Sequence, residues 1–155
     1  MDEKQKVVID TNIILSAFGW KGKPLEILNL LEKNKIQNFI SPPMLEEIKK
    51  AISYDKFNFS YELQAKIIEF ISFYSTLVLP KVNLDVIKDD PGDNKFIECA
   101  VASKAKYIIS GDEHLLSLKK VKGIKILSAD TFLKEFVVKP TKKQVKLRQQ
   151  RRLRY

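Results

Sequence analysis

The chain has 155 residues, of which 45% are hydrophobic and 30% are charged, and this composition fits a single globular domain with a buried core. The net charge is +9, and a single cysteine excludes an intramolecular disulfide framework. No stretch approaches the roughly 20 apolar residues of a membrane span. The first residues, MDEKQK, lack the apolar run of a signal peptide, so we expect a cytoplasmic protein with no membrane partner.

The first part of the chain alternates between short apolar runs and longer amphipathic patterns. The runs KVVID and QNFIS predict buried strands, and the three- and four-residue spacing between them predicts helices. Ser41 followed by two prolines is typical of a helix N-terminus, where the missing N–H groups of proline cost little. In chain order, the predicted elements lie at residues 6–10, 13–18, 24–34, 37–41 and 44–52.

The second part continues the same alternation. The segment DDPGD, residues 89–93, predicts a turn that opens the central helix, and Asp130 is expected to cap the last helix. Because strands alternate with helices, residues 1–138 predict an α/β fold with a parallel sheet. The predicted helices lie at 61–76, 94–105 and 131–136, and the predicted strands lie at 78–80, 107–110 and 124–128.

Four acids fall where predicted strands end or where the following helices begin. Asp10 ends the first strand, and Glu47 lies in the helix after the second. Asp93 lies in the turn before the central helix, and Asp112 follows the strand 107–110. Ligands of an open parallel sheet bind outside the carboxyl ends of its strands, so we expect the four carboxylates to converge. Each acid taken alone fits a helix cap or a surface position equally well.

A cluster of carboxylates predicts a bound cation. Like charges raise each other's pKa and destabilise the fold, and a hard divalent cation removes this conflict. Mg²⁺ prefers oxygen ligands and is commonly held by one or two carboxylates together with substrate phosphates. The sequence has no cluster of Cys and His for zinc and no glycine-rich loop for a nucleotide. A metal ion held by these acids can activate a water and neutralise charge that develops on a phosphodiester.

Four segments resemble PIN-domain proteins, in particular the toxin components (VapC-like ribonucleases) of toxin–antitoxin systems. They span most of the body in the order and spacing of that family, and the first and third are specific together. The resemblance implies a three-layer α/β/α fold with a central parallel sheet. The four segments are VVIDTNIILSA (7–17), SPPMLEEIKKAI (41–52), DDPGDNKFIECAVASKAKYIISGDEHLL (89–116) and IKILSADTFL (124–133).

The resemblance also implies an endoribonuclease that depends on Mg²⁺ or Mn²⁺. Proteins of this kind often form homodimers, and an antitoxin protein blocks the site of the toxin members. The polar residues beside the acids, Thr11, Asn12 and Ser110, are expected to hold Asp10 or a water in place, with helix capping as the alternative. The catalytic and metal-binding acids of the family correspond to Asp10, Glu47, Asp93 and Asp112 of this chain.

Two other functions fit the same residues. The first is a housekeeping nuclease of RNA maturation that has no antitoxin. The second is a non-catalytic RNA-binding scaffold that retains the acids for the fold. A rise of the melting temperature with metal concentration would favour a true metal site over a scaffold.

The last 17 residues, 139–155, form a basic tail that carries eight of the nine net charges and no acid. The tail has too few apolar residues for a core of its own, and it is typical either of an arm that contacts RNA phosphates or of a solubilising end. We favour RNA contact. The candidate nucleic-acid-binding side chains are Lys142, Lys143, Lys146, Arg148, Arg151 and Arg152.

Overall fold

The computed structural model describes residues 4–81, 83 and 91–136. The predicted basic tail, residues 139–155, lies outside the described residues together with its six candidate nucleic-acid-binding side chains. The described residues include all four candidate acids and the three polar residues beside them.

The described chain alternates between strands and helices, as its apolar periodicity predicts. The strands are β1 (Gln5–Ile9), β2 (Ile36–Ile40), β3 (Ser75–Leu77), β4 (Tyr107–Ile109), β5 (Lys120–Val121) and β6 (Ile124–Leu127). The helices are α1 (Thr11–Gly19), α2 (Gly22–Glu32), α3 (Pro42–Ala51), α4 (Tyr61–Tyr74), α5 (Asn94–Ser103), α6 (Glu113–Leu116) and α7 (Ala129–Phe136). Short 3-10 turns lie at Asp55–Phe57 and Pro91–Asp93.

The strands form one six-stranded sheet in the order β3-β2-β1-β4-β6-β5. Every pairing is parallel except that of β5 with β6. Successive side chains of a strand point to opposite faces, and Val7, Val8 and Ile9 of β1 are all fully buried. Both faces of the central strand are therefore covered, as in a parallel sheet flanked by helices. The predicted α/β/α fold is confirmed.

The antiparallel edge of the sheet was not predicted from the sequence. β5 and β6 are joined by Lys122 and Gly123, which both have positive φ angles, 51° and 82°. Two consecutive positive φ angles match the twist of a two-residue hairpin, and glycine adopts this conformation without steric cost. The hairpin is only two residue pairs long, so it leaves little alternation in the sequence to detect.

Asn38 crosses the sheet and fixes the position of β3. Its Oδ1 atom accepts the Ile9 N–H at 3.0 Å, and its Nδ2 atom donates to the Ser75 hydroxyl at 2.9 Å. Asn38 is 1% exposed, so these bonds satisfy a polar group that would otherwise be buried at a cost. The strand predicted at residues 78–80 was placed wrongly, because β3 pairs with β2 over Ser75–Leu77.

The start of α7 also differs from the prediction. Asp130 does not cap the helix, because the helix already begins at Ala129. The Ser128 hydroxyl accepts the Thr131 N–H at 3.1 Å instead, and Asp130 pairs with Lys134 at 3.0 Å on the surface. A serine immediately before the first helical residue is as good a cap as an aspartate, and here it is better placed. None of the helices in the described ranges is long and apolar enough to cross a membrane.

Replacement of Asn38 by alanine should lower the free energy of unfolding by about 1–3 kcal/mol, because the buried Ile9 N–H loses its acceptor. Urea denaturation measures this difference. Asn29→Ala on the exposed face of α2 is the matched control and should change the stability by less than about 0.5 kcal/mol. Equal effects of the two substitutions would show that the Asn38 bonds contribute nothing specific.

Candidate active site

The candidate site lies where the chain reverses its direction of travel across the sheet. From β1 the chain adds β2 and β3 on one side, and it later adds β4 and β6 on the other. In an open α/β sheet this switch leaves a crevice outside the carboxyl ends of the two central strands. Asp10 follows β1, and Ser110 and Asp112 follow β4, so these three residues line the crevice.

A buried hydrogen bond joins the two sides of this crevice. The Ser110 hydroxyl donates to Asp10 Oδ2 at 2.6 Å, across 100 residues of sequence. The Ser110 oxygen also accepts the Asp112 N–H at 3.0 Å, which directs its own hydrogen toward Asp10. Asp10 is 3% exposed and Ser110 is fully buried. Ser110 therefore holds the Asp10 carboxylate, as expected from the sequence.

Asp10 also occupies the N-cap position of α1, which was the alternative interpretation of this residue. Its Oδ1 atom accepts the Asn12 N–H at 3.4 Å, a long bond compared with the one from Ser110. The contact uses the Asn12 backbone, and the residue itself is exposed. Thr11 is 2% exposed, and its hydroxyl has no hydrogen-bond partner in the structure. An unsatisfied buried hydroxyl beside a carboxylate is available to a ligand.

The surroundings of Asp10 oppose its negative charge. Burial is the main cause that raises the pKa of Asp10 above its ordinary value, and the negative charges of Glu47 and Asp112 raise it further. The hydrogen bonds from Ser110 and from the Asn12 N–H lower the pKa and offset part of this effect. Glu47 and Asp112 thus lie within electrostatic range of Asp10, and these three acids form the acid cluster.

Glu47 reaches the site from α3, the helix that follows β2. It is partly buried, whereas its neighbour Glu46 is exposed and pairs with Lys49 at 3.6 Å. The carboxylate of Glu47 forms an ion pair with Lys95, which lies in the first turn of α5. Of the two adjacent glutamates, Glu47 is therefore the one that acts electrostatically on Asp10. The lysine was not identified from the sequence, because its position carries no local signal of a partner so far away.

Asp112 lies directly after the tight turn that ends β4. Its Oδ1 atom accepts the N–H groups of His114 and Leu115 at 2.8 and 3.2 Å, so Asp112 caps α6 as well as facing Asp10. One carboxylate oxygen is therefore committed to the fold.

Asp93 ends the 3-10 turn before α5, and its side chain is partly buried without capping that helix. Two residues later, Lys95 donates to the carbonyl oxygen of Gly92 at 2.6 Å and pairs with Glu47. These contacts tie the turn that carries Asp93 to α3. The structure therefore places Glu47 and Asp112 within electrostatic range of Asp10, and Lys95 links the turn that carries Asp93 to Glu47.

Ser41 is a second polar residue that the sequence did not single out for the site. It follows β2, and like Thr11 it has a buried hydroxyl without a hydrogen-bond partner. It occupies the N-cap position of α3 as predicted, but its side chain does not cap the helix. The carboxyl ends of β1 and β2 are adjacent in the sheet, so both hydroxyls lie at the same edge as the acid cluster.

The donor atoms at this edge suit a hard divalent cation. They are carboxylate and hydroxyl oxygens, which Mg²⁺ and Mn²⁺ prefer. Among the described residues, no group of three or more Asp, Glu, His or Cys side chains has the spacing of a metal site in this conformation. Glu47 pairs with Lys95, and Asp112 accepts N–H groups at the start of α6. Two carboxylates with waters suffice for Mg²⁺, so the residues fit such an ion.

A thiol mechanism has no support. The only cysteine, Cys99, is fully buried in α5. Burial raises the pKa of its thiol to about 12, so the nucleophilic thiolate does not form at neutral pH.

Comparison with known proteins places the chain in a family. The model of the PIN domain matches residues 6–114, which include β1, the candidate acids and α5. The chain belongs to the PIN domain family. PIN domains are generally nucleases, and these nucleases generally use divalent metal ions.

Individual relatives agree with this assignment. The PIN domain described here is 39% identical over 145 residues to an uncharacterized protein of Methanocaldococcus jannaschii, with coverage of 86% of this chain and 92% of that protein. It resembles PAE2754 from Pyrobaculum aerophilum with a TM-score of 0.59 and 12% identity, over 87% of this chain and 91% of that one.

A third relative is a solved complex. The chain resembles VapBC2 from Rickettsia felis, solved bound to a DNA fragment from its promoter, with a TM-score of 0.55 and 18% identity. The match covers 79% of this chain and 97% of that one. At these identities the two structural similarities establish the shared fold.

Asp10→Asn should stabilise the protein at neutral pH when no divalent cation is present. The pKa of Asp10 is raised in the folded chain, so the wild type loses stability as the pH rises from the ordinary value of 3.8 through the folded pKa. We expect a gain for the variant of roughly 0.5–2 kcal/mol at pH 7. Urea denaturation in EDTA at neutral and acidic pH measures it.

The gain of the Asp10→Asn variant should shrink as the pH falls and vanish once Asp10 is protonated in both folded and unfolded chains. Asp130→Asn removes an exposed carboxylate and is the matched control, with no comparable gain expected. A gain for Asp10→Asn that did not depend on pH would contradict the electrostatic explanation.

Proposed function

We propose that residues 1–138 form a metal-dependent endoribonuclease that hydrolyses RNA phosphodiester bonds. The observation that carries this proposal is the buried Asp10 carboxylate at the switch point of the sheet, held by Ser110 and facing the charges of Glu47 and Asp112. Perturbed pKa values of this kind concentrate at functional sites. The membership of the chain in a family of nucleases supports the reaction type.

Asp10 and Asp112 are the residues that would hold the divalent ion, with Glu47 and Asp93 at its margin. When bound, Mg²⁺ or Mn²⁺ supplies water activation and neutralises charge that develops on the phosphodiester. Ser110 keeps the Asp10 carboxylate in one orientation through its hydrogen bond at 2.6 Å. The buried hydroxyls of Thr11 and Ser41 offer further polar contacts at the same edge. Because hydrogen bonds already hold the carboxylates of Asp10 and Asp112 in place, they would not have to rearrange during the reaction.

A scaffold without activity would have little use for this arrangement. A buried carboxylate with a raised pKa destabilises the fold, and a neutral residue of the same shape would do better. The hydrogen bonds from Ser110 and Asn12 lower the pKa of Asp10, but burial and the nearby negative charges raise it by more. This conflict favours an enzyme over the RNA-binding scaffold, since active sites commonly retain destabilising groups for their chemistry.

RNA is the proposed substrate partly because of the basic tail. Its eight basic residues would neutralise phosphates and make binding dependent on salt. The contact side chains in this proposal are Lys142, Lys143, Lys146, Arg148, Arg151 and Arg152. Deletion of residues 139–155 should then flatten the salt dependence of RNA binding.

We further propose that the nuclease is the toxin of a toxin–antitoxin pair and acts in the cytoplasm as a homodimer. The shared fold with the VapBC2 protein, over 97% of that chain, supports an antitoxin partner. Growth arrest on expression that Asp10→Asn abolishes, and that a neighbouring small protein relieves, separates a toxin from a housekeeping nuclease of RNA processing. Sedimentation measures the oligomeric state.

The nuclease itself is tested by incubation of the full chain with a panel of structured and single-stranded RNAs in Mn²⁺, Mg²⁺ or EDTA. We expect cleavage that requires the metal and that falls at least about 100-fold in Asp10→Asn, the upper range for loss of a partner that only orients a metal ligand. Asp130→Asn, an exposed change of the same chemistry, should cleave like the wild type. Full cleavage by Asp10→Asn would exclude this active site.

A further inference from the structure

Lys95 is a cation placed inside an anionic site. Its ammonium group pairs with Glu47 and donates to the carbonyl oxygen of Gly92 at 2.6 Å. The same group lies 5.1 Å from the centre of the Phe96 ring, within range of a cation–π contact. Three kinds of contact therefore hold one ammonium at a single position beside the acid cluster.

The Lys95–Glu47 pair differs from three surface ion pairs of the chain, Lys23–Glu26, Lys49–Glu46 and Lys134–Asp130. Those three join neighbours on one helix, and their side chains are at least half exposed. In contrast, Lys95 is 18% exposed and Glu47 is 35% exposed, and the pair joins α5 to α3. An ion pair that is partly buried stabilises a fold only weakly, because the removal of both charges from water costs free energy. Its position at the site suggests a role beyond stability.

Glu47 is the member of the acid cluster that Lys95 neutralises. Glu47 lies on α3, which contacts both α1, the helix that begins directly after Asp10, and α5, the helix that carries Lys95. A divalent cation bound at Asp10 would attract Glu47 and repel the ammonium of Lys95. The same carboxylate cannot satisfy both cations fully. A competition between Lys95 and the metal ion for Glu47 follows from this geometry.

Building on the proposed function, we propose that Lys95 is an internal counter-ion that competes with the divalent cation for Glu47 and so lowers the affinity of the site. If Glu47 turns toward the cation, the ammonium keeps the Gly92 oxygen and the Phe96 ring as partners. The exchange then requires the movement of one side chain. Lys95 is in this sense a positioning residue, which acts on the metal site through Glu47.

The test is the affinity of the full chain for Mn²⁺, measured by calorimetry without RNA. Lys95→Met keeps the apolar stem and removes the charge, and it should bind Mn²⁺ about tenfold more tightly, because the cation that competes for Glu47 is lost. Lys95→Arg keeps the charge and should bind like the wild type. Lys49→Met, which breaks the exposed pair with Glu46 on the same helix as Glu47, is the matched control and should leave the affinity unchanged.

Unchanged or weaker binding by Lys95→Met would overturn the proposal, since Lys95 would then only orient Glu47 or support the fold. Lys95→Gln provides the same test if the methionine variant does not fold. The proposed function fails in a different way, namely if Asp10→Asn binds Mn²⁺ and cleaves RNA as the wild type does. If neither the wild type nor Lys95→Met binds Mn²⁺, both proposals are wrong.

Discussion

The site depends on one hydrogen bond, from the Ser110 hydroxyl to the buried Asp10 carboxylate. It connects the carboxyl ends of β1 and β4. These strands are far apart in the sequence, but they are neighbours because the chain adds β2 and β3 on one side of β1 and then β4 on the other. The Ser110 oxygen also accepts the Asp112 N–H, so the same hydroxyl contacts the residues that follow both strands. The hydrogen bonds that join Asp112, Ser110 and Asp10 thereby hold the Asp10 carboxylate in one orientation. Without that orientation, the buried Asp10 carboxylate would only lower the stability of the fold.

The charges at this edge are unevenly balanced. Asp10 is buried, and the nearby charges of Glu47 and Asp112 make its ionised form less favourable still. Lys95 pairs with Glu47 rather than with Asp10. The hydrogen bonds to Asp10 come from neutral donors, which stabilise the ionised form only partly. The negative charges of Asp10 and Asp112 are therefore not balanced by a lysine of the described residues, and they lie at the crevice between β1 and β4, where ligands of such sheets bind.

The neighbouring strand β2 contributes support instead of charge. Asn38 satisfies the Ile9 N–H just before Asp10 and reaches on to Ser75, so it fixes the backbone that carries the acid. Glu47 then enters from α3, one element further along the chain. The division is physically reasonable, because an amide can be buried with its bonds satisfied at much lower cost than a second carboxylate.

The sequence by itself determined the elements around the site, because apolar periodicity, prolines and turns act over a few residues. It located the β1 run before Asp10, the α3 helix with Glu47 and the turn before α5, all close to their observed bounds. It did not place β3 correctly, because that short strand is defined by its pairing with β2, and it gave no sign of the Lys95–Glu47 pair. These features depend on which elements pack together, because a bond between strands or an ion pair between helices produces no pattern in the local sequence of either residue. Tertiary structure alone decided how the charges of the site are balanced.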